Sequence, residues 1–339
     1  MFFYKKYSYL CTEQQSLNNK SMKRHFLNLM AAAAMLATLG TNVAMAQNNQ
    51  PNPPKEVIQI WDGKIPGAKH SAEWEDKAAL QDNPGWITAV TTPTLDYYPA
   101  EGDSGKPAVI ICPGGSYFGL TYMYEGTMQA LWFQKLGVSA FVLKYRLPKD
   151  ETMENRSTGP LMDAQQAIRY VRAKAGEYGI DDSKIGIAGF SAGGHLAATA
   201  SNRYNEKTYK SKLDVSARPD FAVLVYPVIS MREGITESGT KAGLIGGNAD
   251  QATVDLYSNE KQVSQLTPPT FMVHAIDDKL VTYKNSTLYI DALKEAGVEC
   301  ELHLYSRGDH GLQVKNPAET QAFWHNDCER WLRMKGIIK

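Results

Sequence analysis

The sequence predicts an α/β domain, a mostly parallel central sheet with helices on both faces. Short runs at 108–112, 138–145, 184–188, 221–226 and 270–274 are of strand length, and several are apolar at nearly every position. That pattern suits strands buried on both faces. Between them lie stretches of helical spacing, such as Leu161, Ala164, Ile168, Val171 and Ala175. Strands that alternate with helices along the chain imply a parallel sheet sandwiched by helical layers. No internal repeat and no second domain interrupt the alternation.

The 339-residue chain opens on a different kind of segment. Lys23-Arg24 precedes an apolar stretch over 26–39, followed by Ala44-Met45-Ala46. A short basic region, an apolar centre and an A-x-A end form the pattern of a secretory signal, with cleavage expected after Ala46. Asn28, Thr38, Thr41 and Asn42 make the stretch too polar and short for a stable membrane span. The expected location is therefore periplasmic or secreted, with no membrane anchor after cleavage. Residues 1–21 have neither signal nor domain character, so Met22 is a second candidate start. Residues 47–55, rich in Pro, Asn and Gln, read as a flexible lead-in, and 56–339 as a single α/β domain.

Of 36 basic and 36 acidic side chains, residues 1–46 hold five (Lys5, Lys6, Lys20, Lys23, Arg24) and one (Glu13). The remainder carries 31 against 35, a net charge of −4. Mild acidity without a basic stripe argues against a nucleic-acid partner. Beyond the leader stand Cys112, Cys300 and Cys328, whose spacing fits no zinc site and whose odd number cannot all pair. They read as buried thiols, with Cys300–Cys328 as a minor possibility for a bridge in an oxidising compartment. A second apolar stripe, Trp324, Cys328, Trp331 and Leu332, marks a last helix, with Asn316, Pro317 and Glu319 as its start signal.

The chemistry concentrates at strand ends, where parallel sheets collect their functional groups. Gly189-Phe190-Ser191-Ala192-Gly193 matches G-x-S-x-G between an apolar strand and an alanine-rich helix. Such a turn is a nucleophile elbow: small flanking residues let the chain turn sharply and lift the serine hydroxyl above the sheet. A serine needs a base. His25 lies in the leader and His70 ahead of the core strands; His195 follows on the same helix. His274 ends a strand, His303 lies within one and His325 in the last helix. His310 alone sits in a glycine-flanked loop, "RGDHGL", after a late strand, and is the candidate base. The acid is expected between serine and histidine in this chain order, and "FMVHAIDDKLV" offers Asp277 and Asp278, which spacing does not separate. An early strand ends in Gly114-Gly115-Ser116, where the amides of Gly115 and Ser116, with that of Ala192, are candidate oxyanion donors. No metal-ligand spacing and no phosphate loop occurs, so no cofactor is expected.

The stretches "CPGGSY", "FVLKYRLP", "GFSAGGHLAA", "PPTFMVHAIDDKLV" and "GDHG" together resemble α/β-hydrolases of the bacterial carbohydrate-esterase type, near the acetylxylan and feruloyl esterases. The resemblance runs from about residue 108 to the end. It implies an α/β-hydrolase fold and a serine esterase that removes acetyl or feruloyl groups from plant cell-wall carbohydrate. It also points to Asp278 as the acid. Ser116 stands where many relatives have a third glycine, and Thr282 where proline is usual. A peptidase of the prolyl-peptidase type would add a propeller for which there is no room. A non-catalytic protein on this fold would be expected to lack a triad member. A lipase would want an apolar lid, whereas the connection over 230–267 is polar and suits a sugar-facing rim. Tyr117 and Tyr122, with Phe118 and Tyr124, crowd the proposed oxyanion turn, and Tyr117 and Tyr122 are the candidate substrate-binding residues.

Overall fold

The computed structural model describes residues 53–79, 83, 85–102, 104–312 and 321–339. The leader, its expected cleavage site, most of the 47–55 lead-in and the Asn316–Pro317–Glu319 helix start lie outside the described residues. Residues Pro54–Lys339 form one compact unit.

Among the described residues, eight strands make one sheet: β1 Glu56–Gln59, β2 Thr94–Tyr98, β3 Lys106–Cys112, β4 Ser139–Lys144, β5 Ile180–Phe190, β6 Ala222–Val225, β7 Thr270–Ala275 and β8 Cys300–Tyr305. Their spatial order is β1-β2-β4-β3-β5-β6-β7-β8. The pairs β1–β2 and β2–β4 are antiparallel, and all pairings from β4 through β8 are parallel. The central strands are apolar throughout because both of their faces are covered: every residue of β6 and β7 is buried.

Two strands carried no clear sequence signal. In β1 a single residue, Ile58, is buried, and in β2 Asp96 interrupts the apolar run. β1, at the antiparallel edge, buries only one face, and β2, inside the sheet, is five residues long and broken by Asp96, so neither leaves enough pattern to read. β5 begins earlier than its apolar run because residues Asp181 to Lys184 face outward before the strand enters the core.

The predicted helical stripes are core packing. Leu161, Ala164, Ile168 and Val171 on helix Gly159–Ala173 are buried, as is Ala175 just beyond it. Trp324, Cys328, Trp331 and Leu332 on helix Gln321–Met334 are buried too. The "KYRLP" stretch places Arg146 in the interior, where Nε and Nη2 donate to both oxygens of Asp163 and Nη1 donates to the Pro66 carbonyl. A buried guanidinium is tolerable because its donors meet a carboxylate and carbonyls. The three cysteines are free thiols; Cys112 and Cys328 are buried and Cys300 is half-buried. Among the described residues, no helix is long and apolar enough to cross a membrane.

Candidate active site

β5 ends at Phe190 and helix Ala192–Asn202 starts two residues on, so the reversal falls on Ser191. Its backbone takes φ 52°, ψ −120°. The flanking glycines are a steric requirement. A Cβ on Gly189 would overlap the Gly193 carbonyl, and one on Gly193 would overlap the carbonyls of Cys112 and Pro113. The elbow is pinned by its own amide, donated to Val225 O, and by its carbonyl, which accepts from Val228 and His195 amides.

Ser191 Oγ lies 3.0 Å from His310 Nε2, and His310 Nδ1 lies 2.8 Å from Asp278 Oδ2. A carboxylate at Nδ1 keeps the proton there and leaves Nε2 free to accept from the serine hydroxyl. Asp278 Oδ1 accepts from the amides of Leu280 and Val281, both at 2.9 Å. Burial acts upward on the Asp278 carboxyl, but hydrogen bonds from His274, His310 and the Val281 amide outweigh it and hold the carboxyl well below its usual range. Asp277 points elsewhere: its Oδ1 accepts from the Asp309 amide at 2.8 Å and so braces the histidine loop. The geometry thus separates the two aspartates that spacing could not.

The other described histidines stand outside the Ser191–His310–Asp278 line, although His274 Nε2 comes within 3.3 Å of Asp278 Oδ2. His195 is buried beneath the elbow, with Nε2 donating to Tyr257 O and Nδ1 accepting from the Tyr117 hydroxyl. His274 is buried at the end of β7, hydrogen-bonded to Ser286 and the Val281 carbonyl. His303 pairs with Glu301, His325 stacks on Trp132 and His70 meets Glu75 at the surface.

The turn after β3 faces the elbow. Gly114 is wedged between them, since a Cβ there would lie 2.6 Å from Phe190 O and 2.8 Å from Ser191 Cβ. Gly115 and Ser116 follow at φ 134° and φ 52°. The Gly114 amide is already donated, to Glu125 Oε2 at 2.6 Å. Gly115 and Ser116 follow on this turn, and Ala192 opens the helix after the elbow, so the three candidate donors of the sequence lie on the two segments that meet here. Ser116, standing where a third glycine is usual, donates its hydroxyl to Glu237 Oε2 at 3.1 Å. Glu237 also caps helix Ser238–Leu244 through the Gly239 and Thr240 amides. The 230–267 connection is therefore fastened directly to the oxyanion turn.

Backbone strain concentrates in the same place. Among the described residues, the non-glycine positions with positive φ are Ser116, Tyr117, Ser191, Tyr226, Asp309 and Leu312. Two lie in the oxyanion turn, one is the elbow, one follows β6 and two flank His310. Such conformations persist where surrounding structure over-determines them, which is characteristic of functional sites.

Two expected substrate contacts are corrected by the structure. Tyr117 is 1% exposed, its hydroxyl committed to His195, and Tyr122 is 6% exposed, its hydroxyl donated to Val142 O. Both are core residues, because the turn after β3 folds its own aromatics inward to seal the sheet. The exposed aromatic surface here belongs to Phe118, 47% exposed, and Trp86, 40% exposed. The Trp86 ring backs onto the turn so closely that a Cβ on Gly119 would meet its Cζ2 at 2.5 Å. No sequence motif marks Trp86. Glu125 was also missed, although a signal existed: it is the single charged residue between Lys106 and Lys135. Among the described residues, no cluster of three or more His, Cys, Asp or Glu side chains is arranged to hold a metal ion.

The sheet order, the elbow and the Ser–His–Asp array together define an α/β-hydrolase. Residues 95–293 match the family model BD-FAE, and the chain belongs to that family. An acetylxylan esterase of Xylanibacter ruminicola is 38% identical over 216 residues, covering 62% of this chain and 42% of that protein. Endo-1,4-beta-xylanase B of Butyrivibrio fibrisolvens is 34% identical over 227 residues, covering 66% of this chain and 35% of the other. The chain thus spans less than half the length of these relatives. Among solved structures, an acetyl ester-xyloside bifunctional hydrolase from Caldicellulosiruptor lactoaceticus superposes with a TM-score of 0.71 at 35% identity, covering 85% of this chain and 98% of that one.

Proposed function

We propose that this chain is an exported serine carboxylic-ester hydrolase that removes acyl groups, acetyl or feruloyl, from plant cell-wall polysaccharide or its oligosaccharides. The observation that carries the reading is the continuous relay Ser191–His310–Asp278, with contacts of 3.0 and 2.8 Å. His310 Nε2 takes the Ser191 proton as Oγ attacks the ester carbonyl, and Asp278 stabilises the imidazolium that forms. The oxyanion is received by the amides of Ala192, Gly115 and Ser116. The protonated imidazole then releases the alcohol, and water attacks the acyl-enzyme by the same route. Every step uses this chain's own groups and water.

The carbohydrate assignment is supported by relatives named acetylxylan esterase and acetyl ester-xyloside hydrolase. Exposed Phe118 and Trp86 beside the turn also support it, since aromatic faces suit sugar rings. Export is supported by the basic, apolar and A-x-A succession ending at Ala46. The deciding experiment compares turnover of acetylated xylo-oligosaccharides, a long-chain acyl ester and an acyl anilide by wild type and Ser191→Ala. Turnover of the acetylated sugar should exceed that of the other two and vanish in the folded variant. Preferred long-chain turnover would overturn the carbohydrate assignment, preferred anilide turnover would indicate a peptidase, and a fully active Ser191→Ala would end the serine mechanism. Mass spectrometry of the exported protein should find a chain starting near Gln47; an intact 26–46 segment would refute cleavage.

A further inference from the structure

Glu125 is a buried carboxylate that the mechanism above does not use. It sits on the turn Tyr122–Thr127 and is 7% exposed. Its two oxygens have separate tasks. Oε2 accepts from the Gly114 amide at 2.6 Å, and Oε1 accepts from the Tyr226 hydroxyl at 2.9 Å. Gly114 opens the oxyanion turn and touches the elbow. Tyr226 follows β6 at φ 38°, its amide donating to Val273 O, and its ring edge packs on the His310 imidazole with centroids 5.0 Å apart. One side chain therefore ties the oxyanion turn to the strand end that shelves the catalytic histidine.

We propose that Glu125 is a positioning residue for the oxyanion turn: it holds Gly114, and with it Gly115 and Ser116, at the distance from Ser191 that the tetrahedral intermediate requires. The inference rests on the serine-esterase reading. A buried carboxylate is costly, and burial does push the Glu125 carboxyl up, opposed by the Gly114 amide, His310 and Tyr226. An amide or hydrocarbon could fill the same space more cheaply. A carboxylate accepts from the Gly114 N–H on one oxygen and from the Tyr226 O–H on the other, and its charge strengthens both bonds. The next two residues, Gly115 and Ser116, carry the amides read as oxyanion donors, so holding Gly114 fixes where they begin.

The test uses the full chain with 4-nitrophenyl acetate, together with a phenylboronic acid whose tetrahedral serine adduct mimics the intermediate. Glu125→Gln keeps the volume but removes the charge that strengthens the Gly114 bond and reverses the bond to Tyr226, where an NH2 now donates. It should lower kcat between about tenfold and a hundredfold, leave KM within about threefold, and weaken boronate binding in parallel with kcat. Melting and circular dichroism establish that the variant is folded. A folded variant with wild-type kcat overturns the proposal, and so does a loss of kcat with unchanged boronate affinity, since that is not a defect of the oxyanion turn. Should Glu125→Gln fail to fold, Tyr226→Phe carries the test: it releases one oxygen of Glu125 while sparing the ring on His310. Weakened boronate binding at retained KM supports the proposal, and wild-type values overturn it. Wild-type turnover that Ser191→Ala abolishes keeps the two readings apart. If the wild type has none, the esterase reading fails, whereas if it has and Glu125→Gln matches it, only the present inference fails.

Discussion

Replacing Asp278 by Asn tests the relay at its acid, and the structure fixes what the substitution does. Asp278 Oδ1 already accepts two amides, from Leu280 and Val281. The asparagine oxygen must stay on that side, so its NH2 replaces Oδ2 and faces His310 Nδ1 across 2.8 Å. Two donors cannot face each other, so the imidazole gives up its Nδ1 proton and carries it on Nε2. That nitrogen then points an N–H at Ser191 Oγ and cannot take the serine proton. The loss expected from a wrong tautomer in a Ser-His-Asp array is about 10⁴-fold in kcat, or about 5 kcal/mol of transition-state stabilisation. Asp277→Asn keeps an oxygen to accept from the Asp309 amide and removes only the charge at the surface, so its expected cost is within about tenfold, by the usual worth of a single hydrogen bond. Steady-state turnover of 4-nitrophenyl acetate at pH 7.5 by both folded variants is the assay. Equal, mild losses in the two would mean that the acid lies elsewhere, and a larger loss in Asp277→Asn would reverse the assignment.

Two further outcomes follow from the surroundings of the site. Phe118→Ala removes an exposed ring that Lys149 Nζ approaches at 5.7 Å. It should raise KM for acetylated xylo-oligosaccharides about tenfold while leaving small aryl esters nearly unchanged, as loss of uniform binding does; unchanged sugar kinetics would remove Phe118 from the substrate surface. His195 is held neutral by burial, its pKa lowered from 6.5 to about 4, against the opposing Tyr257 carbonyl. Because the unfolded chain binds that proton more readily, the stability of the neutral form is complete above about pH 6.5 and falls as pH drops towards 4, by about 3 kcal/mol. Denaturant unfolding between pH 7 and 4 should therefore be steeper in pH for the wild type than for His195→Asn, and equal slopes would refute this account.

The parts of this protein that announce themselves in sequence are those whose physics is local. The elbow is legible because a turn this tight excludes Cβ atoms at Gly189 and Gly193, so its glycines are obligatory. The parallel core is legible because burial on two faces demands apolar residues at nearly every position, as in β7. His310 stood out by elimination, as the one histidine in a loop at the functional end of the sheet. Other features depend on which segments meet in space. Asp277 and Asp278 are adjacent and chemically identical, and only the path of the histidine loop, 32 residues further on, decides which carboxylate reaches the imidazole. The aromatics after β3 carry no mark of orientation, so Tyr117 and Tyr122 turn inward while Phe118 and the distant Trp86 face out. Glu125 was visible as a lone charge in an apolar stretch, yet its task needs Gly114, Tyr226 and His310, which lie on three separate strand ends. Pattern specifies burial and turns, because they are properties of a residue and its neighbours in the chain. Partnership across strand ends is a property of the assembled sheet, where its order places β5, β6 and β7 side by side.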